Sequence, residues 1–268
     1  MTLLRLPRGD TILYDCNATD ENSPYVLDYL GKHLRRGETI DIFANSHRDA
    51  DHLRGIKRVH ERFPIRHVWD SGATGGSPGC TEYKEYMALR REVGFKEVEP
   101  RTYWDKGITR LRVLNSKNDD LPDNPNAQSI VIKVEHRHAA AGSKPASVML
   151  TADSDAVTWK DIRRHYEDGE LACSILLAGH HGSLTFFDDP DDSQHYFTQH
   201  IHAMSPGMTI ISVGEDNAHG HPHPKALEFY ERYSGGSNKG NKIKRTDHHG
   251  SLLLELKDDG GWSLNKDD

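Results

Sequence analysis

The sequence predicts a layered α/β sandwich. Three observations carry that expectation: apolar runs of strand length recur along the chain, amphipathic helical patterns lie between several of them, and no low-complexity tract separates one half from the other. A chain of 268 residues is long enough for one sizeable core, so a single domain over residues 1–268 is expected.

The elements are expected in the following order. A strand at Thr11–Tyr14 precedes a helix over Tyr25–Leu34. Thr39–Ala44 reads as a strand leading into a helix over Asp51–Phe63, where Leu53, Ile56, Val59 and Phe63 share one face. His67–Trp69 is a strand and Thr81–Val93 a helix. Leu111–Leu114, Ser129–Glu135 and Ser147–Thr151 follow as strands, the last two joined through Ala139–Ala141. A helix over Ala156–Glu167, a strand at Ser174–Ala178, a strand at Thr209–Val213, a helix over Pro224–Tyr233 and a strand at Ser251–Leu256 complete the series. Most of the strands are rich in Val, Ile and Leu and bounded by Gly, Asn, Asp or Pro. Asp188–Asp192 reads as an acidic loop and Gly235–Gly240 as a flexible turn. Residues 184–206, with Phe186, Phe187, Tyr196 and Phe197, form a candidate lid insertion.

The formal charge of -7 argues against a wholly basic, nucleic-acid-coating surface but leaves room for a local basic groove. Arg35, Arg36, Arg54, Lys57, Arg58 and Arg62 are candidates for such a groove, and equally for the solvated faces of two helices. Cys16, Cys80 and Cys173 are widely spaced, which fits neither a disulfide framework nor a thiolate zinc site and suggests a reducing compartment. No apolar run approaches the length needed to cross a bilayer and the N-terminus lacks a signal-like h-region, so a cytoplasmic protein without membrane attachment is expected.

The unusual count is histidine, 18 in all, gathered at His47/His52, His180/His181, His219/His221/His223 and His248/His249. In the run Ser46-His47-Arg48-Asp49-Ala50-Asp51-His52, four ligand-type side chains converge at a strand-to-helix turn. Alternation aims His47 and Asp49 at one metal, and the turn into the helix points Asp51 and His52 at a second. A polar loop capped by Ser46 or Asp51 is the plainer alternative. Asp153 ends an apolar strand where a carboxylate is exposed at a sheet edge, with Asp155 the better cap for the following helix.

H-x-D-x-D-H after a strand resembles the H-x-H-x-D-H signature of the metallo-β-lactamase superfamily with its second histidine replaced by aspartate. That replacement is typical of the hydrolase domain of the competence protein ComEC and its stand-alone relatives. Further segments resemble the same branch in the same order. They are Arg8 to Asp15 (G-D-x-h-L-h-D), Asn126 to Val131 (N-x-x-S-h-V), Leu150 to Asp153 (L-T-G-D) and Ala178 to Ser183 (V-G-H-H-G-S). Ile211 to Pro224 (I-S-V-G-x-x-N-x-x-G-H-P-H-P) and Arg245 to Ser251 (R-T-D-x-x-G-S) close the series.

The resemblance implies a four-layer αββα metallo-β-lactamase sandwich. It implies two divalent metal ions, with His47 and Asp49 on the first, Asp51 and His52 on the second, Asp153 bridging both, and His180 or His181 completing the second site. Two departures stand out: Ala152 replaces a glycine, and the histidine that completes the first site has no counterpart, Asn126 being nearest by order. The oxygen-rich first site makes Mn²⁺ at least as suitable as Zn²⁺. His221 is expected as a phosphate-binding group or general acid and Asp51 as a catalytic carboxylate. Asn126, Ser183, Asn217 and His223 are expected as substrate-binding groups, with His248 and His249 left in a hairpin turn outside the site.

Two ions about 3.5–4 Å apart would hold a hydroxide and clamp a phosphodiester. The expected function is therefore phosphodiester hydrolysis, with DNA as the polymer, by a nuclease-like enzyme. Hydrolysis of a smaller phosphoester, cyclic nucleotide or lactone is a second reading, and a non-catalytic, metal-stabilised interaction module a third. A protein partner encoded nearby is left unidentified.

Overall fold

A computed structural model describes residues 1–35, 37–137, 144–215, 217–235 and 241–267. The expected connection at Ala139–Ala141 lies outside them, as do residues 236–240 of the expected glycine-rich turn. The chain divides into two compact units, Met1–Pro100 with Ser116–Ile130, and Arg101–Asn115 with Val131–Asp268.

The first unit holds a five-stranded sheet. Its elements run β1 (Thr2–Arg5), β2 (Thr11–Tyr14), β3 (Cys16–Asn17), α1 (Ser23–His33), β4 (Ile42–Ala44), α2 (Ala50–Leu53), α3 (Ile56–Arg62), β5 (Val68–Asp70), α4 (Thr81–Val93) and β6 (Phe95–Glu97). The strand order is β1-β2-β4-β5-β6, antiparallel only between β1 and β2. Strands flanked by parallel neighbours are covered on both faces, and every residue of β2, β4 and β5 is buried. Leu13, Phe43 and Val68 pack with Leu30 of α1, Ile56 and Val59 of α3, and Tyr86 and Leu89 of α4.

The helix expected over Asp51–Phe63 is broken in two at Gly55, whose φ is +76°. A Cβ there would stand 2.4 Å from the Ala18 carbonyl oxygen. Left-handed backbone and close approach together demand glycine and end α2 after one turn. Isolated bridges from Cys16 to Leu53 and from Asn17 to Arg54 tie that turn to the chain leaving β2.

The second unit contains β7 (Thr102–Lys106), β8 (Thr109–Asn115), β9 (Val131–His136), β10 (Ala146–Leu150), α5 (Ala156–His165), α6 (Asp168–Leu171) and β11 (Ile175–Leu177). It continues with α7 (Gln199–Met204), β12 (Met208–Ile211), α8 (Pro224–Tyr233), β13 (Ile243–Arg245), α9 (Thr246–His249), β14 (Leu252–Leu256) and β15 (Trp262–Lys266). Its seven-stranded sheet runs β13-β12-β11-β10-β9-β8-β7, an antiparallel meander from β7 to β10 and parallel from β10 to β13. β14 and β15 form a separate hairpin. Asp155 caps α5 through the Thr158 N–H at 3.1 Å, as expected.

Three of the four aromatic residues in the candidate lid at 184–206 are internal. Phe186, Phe187 and Phe197 lie in the second unit's core with Trp159, Ile201 and Tyr230, because the aromatic side chains wrap a fully buried His200. Only Tyr196 of the four aromatics is exposed. His248 and His249 close a one-turn helix, α9, where a hairpin turn was expected. Among the described residues no helix is long and apolar enough to cross a membrane.

Candidate metal-binding residues

In open sheets with parallel strands, functional groups gather beyond the carboxyl ends of the strands. Both units obey this. In the first, β2 ends at Asp15 and its parallel neighbour β4 opens into Ser46–His52. In the second, the adjacent parallel strands β10, β11 and β12 lead to Asp153, to His180/His181 and to the loop carrying His221.

The first unit's loop is organised by Asp15. Its carboxylate accepts the Ser46 N–H at 2.7 Å and the Ser46 hydroxyl at 2.7 Å, and lies 2.9 Å from His52 Nδ1. Ser46 Oγ also stands 2.9 Å from His47 Nδ1. Both imidazoles are thus held from the Nδ1 side, with ring centroids 4.0 Å apart. Burial pushes Asp15 up, but His52, His47 and the Ser46 N–H outweigh it and hold the carboxyl below its ordinary value. Asn45, fully buried, donates to the carbonyl of His47 at 2.7 Å and fixes the turn. The other face of each ring meets a carboxylate: His47 Nε2 is 3.8 Å from Asp49 Oδ2, and His52 Nε2 is 3.7 Å from Asp51 Oδ2. Asp49 is oriented by the Gly76 N–H at 2.7 Å.

Behind this loop sits a buried charge cluster. Arg48 grips Asp70 through Nε at 3.1 Å and Nη2 at 2.6 Å, and Arg90 Nε and the Tyr86 hydroxyl reach the same carboxylate. Arg48 therefore points away from the ligand-type side chains on either side of it and anchors the loop to β5.

In the second unit Asp153 lies between two histidines, its Oδ2 3.5 Å from His180 Nε2 and its Oδ1 3.5 Å from His181 Nε2. His181 Nδ1 is 2.7 Å from the Ser212 carbonyl and His180 Nδ1 is 3.1 Å from Thr185 Oγ1. The backbone here is unusual: Ala152, His180 and His181 have φ of +48°, +48° and +53°. The position where glycine was expected thus requires left-handed backbone, which alanine adopts only with strain. The His180 N–H donates to the Ala152 carbonyl at 2.9 Å, joining the two strained turns.

These separations fit metal ligation within each unit. Two donor atoms sharing a tetrahedral ion at about 2.1 Å stand about 3.4 Å apart, close to the nitrogen-to-oxygen distances of 3.5–3.8 Å seen here. Metal-ligating histidines commonly present one nitrogen to the ion and give the other N–H to a carboxylate or carbonyl. His52 with Asp15 and His181 with Ser212 have that arrangement. The donor set of imidazole and carboxylate suits a divalent ion.

The remaining expected groups are placed variously. His221 is half-buried beside His180, ring centroids 5.6 Å apart, and burial followed by the imidazoles of His180, His181 and His219 holds it below its ordinary value. Asn217 clamps the His221 backbone, its Nδ2 2.6 Å from the carbonyl and its Oδ1 2.9 Å from the N–H, so it positions that residue. Ser183 Oγ accepts from Thr185 within its own turn. His223 is exposed and caps α8 through the Lys225 N–H at 3.1 Å. Asn126, in the first unit, is half-buried, and its carbonyl accepts the Ser129 N–H. Arg54, Lys57, Arg58 and Arg62 are matched by Glu82, Glu85, Asp20 and Asp28 on neighbouring elements, which makes them paired helix faces rather than a basic track. Arg36 lies outside the described residues. Asp15, Asn45 and Ser212 gained no role from the sequence; Asp15 and Ser212 carried a signal, as the last letter of the first motif and the second letter of I-S-V-G.

No protein-family profile matches the chain. It is 28% identical over 217 residues to the competence protein ComA of Neisseria gonorrhoeae and 23% identical over 219 residues to ComE operon protein 3 of Bacillus subtilis (strain 168). Each alignment covers 81% of this chain and 25% of the relative, so the chain spans about a quarter of the length of the curated relatives it matches. Among solved structures it resembles an E377D mutant of the β-hydroxylase CmlA, with a TM-score of 0.51 at 14% identity, over 89% of this chain and 49% of that one. The metallo-β-lactamase fold protein YhfI from Bacillus subtilis matches over 88% of this chain and 84% of its own, with a TM-score of 0.45 at 13% identity. Likeness at such identity concerns the fold alone.

Proposed function

We propose that this chain, a metallo-β-lactamase-fold protein similar to the competence proteins, is a metal-dependent hydrolase that cleaves phosphodiester bonds in DNA. The observation that carries the reading is the paired arrangement of imidazole and carboxylate in each unit, with His52 and His181 each steadied from behind by an acceptor. His47, Asp49, Asp51 and His52 of the first unit, and Asp153 with His180 or His181 of the second, are assigned as ligands of two divalent ions. Such ions lower the pKa of a bound water and offset charge on phosphoryl oxygens. Asp49 supplies oxygen where a lactamase has nitrogen, which favours Mn²⁺ alongside Zn²⁺.

Around them the chain's own groups have separate tasks. Asp51, with 45% of its side chain exposed, is placed to exchange a proton with solvent. His221, fixed by Asn217, offers its imidazole to a phosphate oxygen. DNA is preferred as substrate because one of the two relatives, ComA, is named a competence protein, and the preference rests on that likeness. The small-ester reading has less to support it, since three of the four aromatic residues that would have shaped a closed pocket are in the core.

The test is incubation of metal-stripped protein with Mn²⁺, Zn²⁺ or Mg²⁺ and single-stranded DNA, duplex DNA, RNA or a small diester, beside His47→Ala and Asp153→Ala. Metal-dependent DNA cleavage lost in both variants is the expected result. Cleavage untouched by either substitution refutes the ligand assignment; turnover of the small diester alone refutes the nuclease; metal binding without any turnover points to an interaction module.

A further inference from the structure

Beyond the carboxyl ends of β12 and β13 lies a cavity of about 470 Å³, lined by Gly214, Glu215, Asn217, His221, Arg245, Asp247 and His248, all of the second unit. Its lining joins His221 to Arg245 and to Asp247 and His248 of α9. Its volume falls in the range of small-ligand sites, roughly 300–1,000 Å³.

The wall is built rather than incidental. Thr246 Oγ1 accepts the Val213 N–H at 2.8 Å and donates to the Val213 carbonyl at 2.8 Å, which straps α9 to the loop leaving β12. His249 Nδ1 lies 2.9 Å from the Arg245 carbonyl and closes the turn from within. Arg245 is held through Nε at 3.0 Å from Asp247 Oδ1, with Nη2 on Oδ2. One edge of the guanidinium is thereby occupied. Asp247 is held below the ordinary carboxyl value because Arg245 and His248 outweigh the effect of burial.

The charge balance decides the class of ligand. Among the described lining residues one arginine, already paired with Asp247, is accompanied by a second carboxylate, Glu215, so this lining does not favour a second phosphate. A flat, neutral group with donors and acceptors along its edge suits Arg245 as donor and Glu215 as acceptor. His248, with 60% of its side chain exposed, supplies a ring face on which such a group can stack. We propose that this cavity seats the nucleobase adjoining the phosphate that is cleaved beside His221. The proposal rests on the phosphodiesterase reading and adds that the enzyme recognises a nucleotide, not merely a diester.

The test compares thymidine 5′-(p-nitrophenyl phosphate) with bis(p-nitrophenyl) phosphate, using wild type, His248→Ala and Glu215→Gln. Loss of stacking at one base lowers kcat/KM on the nucleotide substrate by about tenfold, while turnover of the base-free diester stays as in wild type. Equal losses on both substrates, or no loss on either, overturn the proposal. A second readout is binding of thymidine monophosphate to metal-free protein by titration calorimetry, weakened in both variants. If wild type cleaves neither diester yet binds the nucleotide in a His248-dependent way, the hydrolase reading falls and the base site stands. If it neither cleaves the nucleotide substrate nor binds the nucleotide, the base site falls.

Discussion

The carboxylate of Asp15 lies 2.9 Å from Nδ1 of His52, and the same carboxylate receives both the N–H and the hydroxyl of Ser46. A residue at the end of one strand thus sets the orientation of a histidine that begins from the next. Asp15→Asn keeps the shape but removes the acceptor charge. Its expected effect is a 10- to 100-fold (order of magnitude) loss of metal affinity, read by chelator competition while circular dichroism stays native. Unchanged affinity would show that His52 is not a ligand steadied by Asp15.

Ala152 carries left-handed backbone at φ +48° where a glycine would be unstrained. Ala152→Gly is expected to stabilise the protein by about 0.5–1 kcal/mol, the relief of strain exceeding the added freedom of the unfolded chain. Urea unfolding measures it. A destabilised variant would mean that the alanine methyl contributes more by packing than it costs by strain.

Asp70 is fully buried and meets Arg48, Arg90 and the Tyr86 hydroxyl. Asp70→Asn leaves two guanidinium groups facing a neutral amide and is expected to cost about 3–5 kcal/mol. A double change that also removes Arg48 should recover part of the loss. Additive losses in that cycle would deny the coupling.

Burial within the aromatic cage pushes His200 down to about 3 from an ordinary 6.5, with Arg163 adding to the effect. The native ring is neutral, whereas the unfolded chain takes up a proton as the pH falls below 6.5. Stability from this residue is therefore complete above pH 6.5 and declines as pH drops towards 3, by up to about 1.4 kcal/mol per pH unit. Urea midpoints at pH 7, 6 and 5 should fall more steeply for wild type than for His200→Phe. Parallel slopes would contradict the buried neutral histidine.

Periodicity located most strands within two or three residues and gave α4 and α8 their observed bounds, because those segments are apolar on a regular face. It passed over β1, β3, β6, β7 and β15, strands of two to five residues whose few apolar side chains lie among charged and polar ones. The break at Gly55 also escaped it, since the apolar face of residues 51–63 continues across a glycine whose constraint, the Ala18 carbonyl, comes from another loop. At the candidate site the ligand-type residues were legible as motifs. Of the groups that orient them, Asp15 and Ser212 stood inside motifs without a role, because the use of a backbone carbonyl such as that of Ser212 leaves no mark in the letters. In the aromatic run at 184–206 three of four rings turn inward around His200 while Tyr196 is exposed, and composition does not say which way a ring faces.

The segment Ser116–Ile130 returns to the first unit after β7 and β8 have been laid down in the second. Its last residue gives its N–H to the Ser46 carbonyl at 2.8 Å and takes the Tyr14 hydroxyl at 2.6 Å. No single scission therefore separates the two units as intact pieces. A fragment ending at Pro100 would keep every ligand-type residue of the first loop yet lack the strap that closes it. Gene dissection or split-protein complementation at that boundary should give a polypeptide with the right residues and the wrong turn.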